Sequence, residues 1–200
     1  MSMPHNKDAM DVAVEEYNVL WSYYGRTLDE RERLFTNYLK IVALPSGVLL
    51  GLSVTYNLKE SIAPSVSLAS SAPFVGVLLF VLSLVGVSAF LAYAHETRNS
   101  RRFLSSINSI RDFFKNEYPI LQTAFTVDQS NQLDPKQRIG STAFYRGGMF
   151  LLANSSIFGI GIFLFSGNAW ISVSASIIKM LFLIKAYRSI VVRRPPPMAE

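Results

Sequence analysis

Four stretches of the chain, 41–58, 73–94, 147–165 and 169–184, carry between them a single charged residue, Lys179. Runs of ~17–25 apolar residues match the thickness of a bilayer core, and in lipid only a helix or a closed barrel satisfies its own backbone. The pattern predicts an all-α integral membrane protein of four transmembrane helices, with helical cytoplasmic extensions and a cytoplasmic insert. Composition agrees: 50% of residues are hydrophobic and 16% charged, against about 25% charged in ordinary soluble domains. The first apolar run is not a cleavable signal, because a long polar and acidic segment precedes it rather than a short basic one.

The distribution of Lys and Arg sets the orientation. Residues 1–40 hold Lys7, Arg26, Arg31, Arg33 and Lys40, residues 95–146 hold eight basic side chains, and the C-terminal end holds Lys185, Arg188, Arg193 and Arg194. The 59–72 loop has only Lys59 and the Ser-Gly-Asn turn at 166–168 has none. By the positive-inside rule both termini and the middle segment are cytoplasmic, which makes this a multi-pass membrane protein. Tyr38, Tyr93, Tyr145 and Tyr187 fall at the predicted inner ends, Tyr56 and Trp170 at outer ends, as interfacial belts require. The plan is a cytoplasmic N-terminal helix over 1–40, spans at 41–58, 73–94, 147–165 and 169–187, a helix plus irregular insert over 95–146, and a cytoplasmic tail over 188–200.

Trp21, Leu28 and Phe35 recur at seven-residue spacing, with Leu20, Tyr24 and Tyr38 beside them, so the N-terminal segment reads as a helix continuing into the first span, where Pro45 is expected to kink it. Phe103, Ile107, Ile110 and Phe114 form a second stripe that ends near Pro119. It needs a partner, and the N-terminal helix of the same or a neighbouring subunit is the natural one. Residues 119–141 lose this periodicity and read as a loop or irregular insert.

Within the spans, Gly47 and Gly51 form a Gly-x-x-x-Gly pair suited to close helix packing, and Gly76, Ser83 and Gly86 line one side of the second. Lys179 lies 11 residues past Asn168, about 16 Å down a helix in a core about 30 Å thick. Ser172 and Ser176 share its helix face. Asn154 precedes Gly167 by 13 residues and Lys179 follows it by 12, so a tight hairpin brings the two to one depth. Three readings stand: Lys179 snorkels to the inner headgroups, it bonds to Asn154, or it lines a water-filled pore with Ser172, Ser176 and Asn154.

Arg98, Arg101 and Arg102 follow the second span, and Lys136, Arg138 and Arg146 precede the third. Cytoplasmic arginines of this kind satisfy the positive-inside rule alone; gathered by the insert, they would also bind phosphates of a nucleotide or nucleic acid through bidentate forks. Catalysis is not expected. His95 and Glu96 are the one acid–base pair at the membrane face, and neighbours on a helix diverge by about 100°. The chain has no cysteine and two histidines, so neither metal nor cofactor is predicted.

The segment EEYNVLWSYYGRTLDERERLFTNYLKIVALPSG, residues 15–47, resembles the start of small bacterial transmembrane effectors of antiphage defence that are encoded beside nucleotidyltransferases, the Hailong type among them. The resemblance implies a homo-oligomeric channel in the lipid bilayer, with a tetramer favoured, whose cytoplasmic insert senses a nucleotide or single-stranded DNA and whose opening depolarises the membrane. The alternative is a non-conducting membrane scaffold or regulator that assembles through its cytoplasmic helices.

Overall fold

The computed structural model describes the backbone of residues 7–59, 68–118 and 142–192, and the side chains of 10–43, 73–118 and 144–191. These form four helices, α1 (Lys7–Lys59), α2 (Leu68–Glu117), α3 (Thr142–Ser166) and α4 (Ala169–Val192), with no strand among the described residues. At 1.5 Å per residue α1 and α2 are about 75–80 Å long, and α3 and α4 about 36–38 Å. The long pair therefore reaches well beyond the short pair at one end. Three helices, α2, α3 and α4, are long and apolar enough to cross a membrane. The predicted 41–58 span is helical within α1, but its side chains from position 44 lie outside the described residues.

Outward-facing residues of the three apolar helices include Phe74, Leu84, Leu152, Trp170, Ile178 and Phe182, all more than half exposed. An exposed apolar surface of this extent suits a lipid surround.

Antiparallel pairing of α1 and α2 is fixed by rings along the shared seam. Tyr23 stacks on Phe103 at 5.7 Å between centroids, and the Arg31 guanidinium lies 6.0 Å from the centre of the Tyr93 ring. The partner that the 103–114 stripe of α2 needs is thus α1 of the same chain. On α2 a seam of buried positions runs Gly76, Leu79, Ser83, Gly86, Phe90, Tyr93, Thr97, Ser100, Leu104, Ile107, Arg111 and Phe114, with Ala94 also buried beside Tyr93. Their alternating spacing of three and four is the heptad seam of a supercoiled pair. The same rhythm recurs on α1 in Met10, Ala13, Tyr17, Leu20, Tyr24, Thr27, Arg31, Leu34 and Tyr38, with Leu28 and Phe35 shielded beside it.

The seam corrects two expectations by about one position. Trp21 is 48% exposed and stacks on Tyr17 at the surface, while Leu20 and Tyr24 face α2. Phe103 and Ile110 flank a line that Leu104 and Arg111 occupy.

α3 packs antiparallel on α2 and α4 antiparallel on α3. The turn between α3 and α4 is built by two residues. Gly167 takes φ 64° and its N–H returns to Phe163 O at 2.8 Å, while Asn168 Oδ1 caps α4 by accepting from the N–H groups of Trp170 and Ile171 at 2.9 and 3.3 Å. A left-handed residue here costs an L side chain roughly 1–2 kcal/mol. Gly167→Ala is accordingly expected to lower stability by about 1 kcal/mol, readable as a small drop in the thermal midpoint of the detergent-solubilised protein.

Below the polar layer described next, Tyr38, Phe90, Tyr93, Phe150 and Leu183 make the buried core, with contributions from all four helices. Phe150 is its centre, 4.4 Å from the Tyr38 ring, 5.4 Å from Phe35 and from Tyr93, and 6.1 Å from Phe90.

Candidate functional site

One turn along α3 from Phe150 stands Asn154, completely buried. Across the hairpin Lys179 of α4 points inward. Its ammonium donates to Asn154 Oδ1 at 3.1 Å, to the Asn154 carbonyl at 3.4 Å and to Ser83 Oγ of α2, and it lies 4.6 Å from the centre of the Phe158 ring. An ammonium placed mid-helix in a membrane costs roughly 2.5–3.5 kcal/mol on insertion scales. Hydrogen bonds to a charged group contribute about 1.5–3 kcal/mol each and a desolvated cation–π contact about 2, so the three helices together offset that cost.

Gly86 makes room for the arrangement. A Cβ there would come within 2.8 Å of Asn154 Oδ1 and 3.0 Å of Tyr38 Cε2. The heptad of α2 delivers both members of this contact, Ser83 to the ammonium and Gly86 to the amide.

The predicted Asn154–Lys179 depth match is therefore realised as a bond within one protomer. Ser172 and Ser176 share the face of Lys179, but Ser172 Oγ joins α4 to α3 by donating to Gly159 O at 2.6 Å, and Ser176 Oγ bonds back within α4 to Ser172 O at 2.9 Å. Gly159 is required there, since a Cβ would run into Ser176 Oγ.

The basic residues separate into two groups. Arg98, Arg101 and Arg102 lie within about one turn of α2 just beyond the core, with Arg102 exposed and the other two half-buried. Arg146 turns to α1 instead, its guanidinium 3.8 Å from Glu32 and 5.8 Å from the centre of the Phe35 ring. Lys136 and Arg138 lie outside the described residues, and Gly47 and Gly51 lie on α1 among positions whose surroundings are outside them.

Sequence reasoning pairs Lys179 with Asn154 but does not name Phe158, and it reads Tyr38 only as an interfacial and stripe aromatic and Ser83 and Gly86 only as packing residues. The signal for the last two was their place in the three-four rhythm of α2, where Gly, Ser, Thr and Arg hide a heptad from a search for apolar residues. No protein-family model, curated protein or solved structure matches this chain.

Proposed function

We propose that the chain crosses the bacterial inner membrane four times, α1 supplying the fourth span through 41–58, with both termini cytoplasmic, and that it works as a homo-oligomeric ion-channel effector of antiphage defence. The observation that carries the conducting reading is Lys179. Ionisable groups at this depth mark ion paths or ligand sites by default, and this one has polar partners from two neighbouring helices and, among the described residues, no ion-paired carboxylate. The α2 seam supplies a lever: one uninterrupted helix joins the arginines at 98–102 to Ser83 at the ammonium. A nucleotide or single-stranded DNA bound at those arginines, the product of a nucleotidyltransferase encoded alongside, biases the polar layer through that helix. The antiphage role and the tetramer rest on the resemblance of residues 15–47.

A second reading, a non-conducting scaffold, has its own support. The ammonium of Lys179 and the hydroxyls of Ser172 and Ser176 already find acceptors inside one protomer, an arrangement that suits a closed or purely structural bundle.

Reconstituted vesicles separate the two. The channel reading expects ion flux that changes with an oligodeoxynucleotide or nucleotide, altered ion selectivity in Lys179→Met, and loss of ligand binding and of its salt dependence in Arg101→Glu with Arg102→Glu. Vesicles tight to all ions under every ligand and voltage would leave the scaffold.

A further inference from the structure

Beyond the start of α3 the two long helices run on as a hairpin of their own. With Tyr17 and Tyr24 at heptad position a on α1, and Thr97 and Leu104 at a on α2, the seam is flanked by one e side and one g side. The e side is occupied nearer the core: Phe35 of α1 meets Phe150 of α3, and Phe80 of α2 meets Phe158. The g side is where Tyr23 stacks on Phe103, and among the described residues no other helix covers it there.

That side is apolar on both helices. Val12, Val19 and Tyr23 of α1 lie at i, i+7 and i+11, and Phe103, Ile110 and Phe113 of α2 at i, i+7 and i+10, one stripe on each helix. Val12 is 65%, Tyr23 46% and Phe113 52% exposed. Lipid does not account for the surface. Val12 and Tyr23 precede Tyr38 by 26 and 15 residues, about 39 and 22 Å of helix, whereas α3 and α4 end eight and nine residues past Phe150 and Leu183 of the same core.

Two contacts set the heights. Tyr23 faces Phe103 and Arg31 faces Tyr93, so Val12 is level with Phe113 and Tyr23 with Phe103, with Val19 and Ile110 between them. Copies held in one bilayer in one orientation are related by an axis along its normal, which preserves height. A second copy therefore sets apolar layers against apolar layers. Charges select how the helices pair. Arg26 is exposed on this flank, level with Asn99 and about one turn from Glu96, which lie on the same flank of α2. With α1 against α2 of the second copy, each Arg26 meets a Glu96; α1 against α1 would set Arg26 on Arg26 and Glu16 on Glu16.

We propose that this side is the contact with a second copy of the chain, joining two hairpins into a four-helix bundle about a two-fold axis along the membrane normal. This deepens the homo-oligomer reading and rests on it; a tetramer is then a pair of such dimers.

The test uses the full-length protein in detergent micelles, with sedimentation over a dilution series as readout. Phe113→Glu is expected to weaken association about a hundredfold, whereas Val14→Glu, 43% exposed on the e side, should leave it unchanged. Arg26→Glu should weaken it about tenfold, and Arg26→Glu with Glu96→Arg should restore it. The chain has no cysteine, so Arg26→Cys with Asn99→Cys should give an oxidised dimer that neither single variant gives. A wild-type oligomer unaffected by Phe113→Glu overturns this contact and retains the homo-oligomer reading, and a wild type monomeric at every concentration removes both. Protection of Val19→Cys from a maleimide in monomeric protein would mean that residues 119–141 or another partner cover the face, which also overturns the contact.

Discussion

Asn154→Leu is expected to lower the stability of the bundle by about 2–4 kcal/mol in a bilayer mimic. The substitution keeps the branching of the side chain but removes Asn154 Oδ1, leaving the Lys179 ammonium with Ser83 Oγ and the backbone carbonyl of residue 154. Breaking a buried charged contact from one side is more costly than the contact's net worth, about 3–5 kcal/mol in soluble proteins, reduced here because unfolded segments in a membrane also find partners. Lys179→Met alone should cost less, about 1 kcal/mol, since it removes the buried charge and leaves only the neutral Asn154 amide oxygen without its donor. The same change in the Asn154→Leu background should restore most of the lost stability, because replacing both partners by apolar groups is close to neutral. Equilibrium unfolding of the two single variants and the double variant reads this directly: non-additivity supports the bond, and simple addition of two losses contradicts it.

Phe150→Ala should be the most damaging truncation in the described core, at about 3–5 kcal/mol. Phe150 is fully buried and its ring meets those of Phe35, Tyr38, Phe90 and Tyr93, drawn from α1 and α2. Helices in a membrane associate by such packing rather than by hydrophobic transfer, so the cavity loosens α3 from both. Leu152→Ala, two residues further on and 62% exposed, should change the unfolding midpoint far less. Comparable losses in the two variants would mean that Phe150 faces lipid.

The parts of the site that the sequence revealed are those fixed by local chemistry. Asn154 and Lys179 were placed together because the Ser-Gly-Asn turn is short and sharp, so counting residues either side of Gly167 suffices. Phe158 and Ser83 were not foreseeable as partners of Lys179, because the rotation of α2 and α3 about their axes depends on the full bundle. The stripe on α2 was readable only to within about one residue: Arg111, Ser100 and Thr97 occupy seam positions where an apolar search expects Ile or Leu. Arg146 was grouped with distant basic residues because Glu32, its neighbour in space, comes from the other end of the chain. Ser176 illustrates a different failure. Its face was right, but a serine in an apolar helix bonds back to the preceding turn, as it does to Ser172 O.

The depth of Lys179, the cost of its charge and the path to it all depend on four crossings with both ends inside. The chain has no cysteine, so single cysteines can be introduced without background and treated with an impermeant maleimide on intact spheroplasts. Ser65→Cys and Ser166→Cys should label from outside, whereas Ser22→Cys, Ser105→Cys and Ser189→Cys should label only after permeabilisation. Labelling of Ser22→Cys and Ser65→Cys from the same side would contradict the fourth crossing, and with it the proposed cytoplasmic placement of the N-terminal part of α1 beside the C-terminal part of α2.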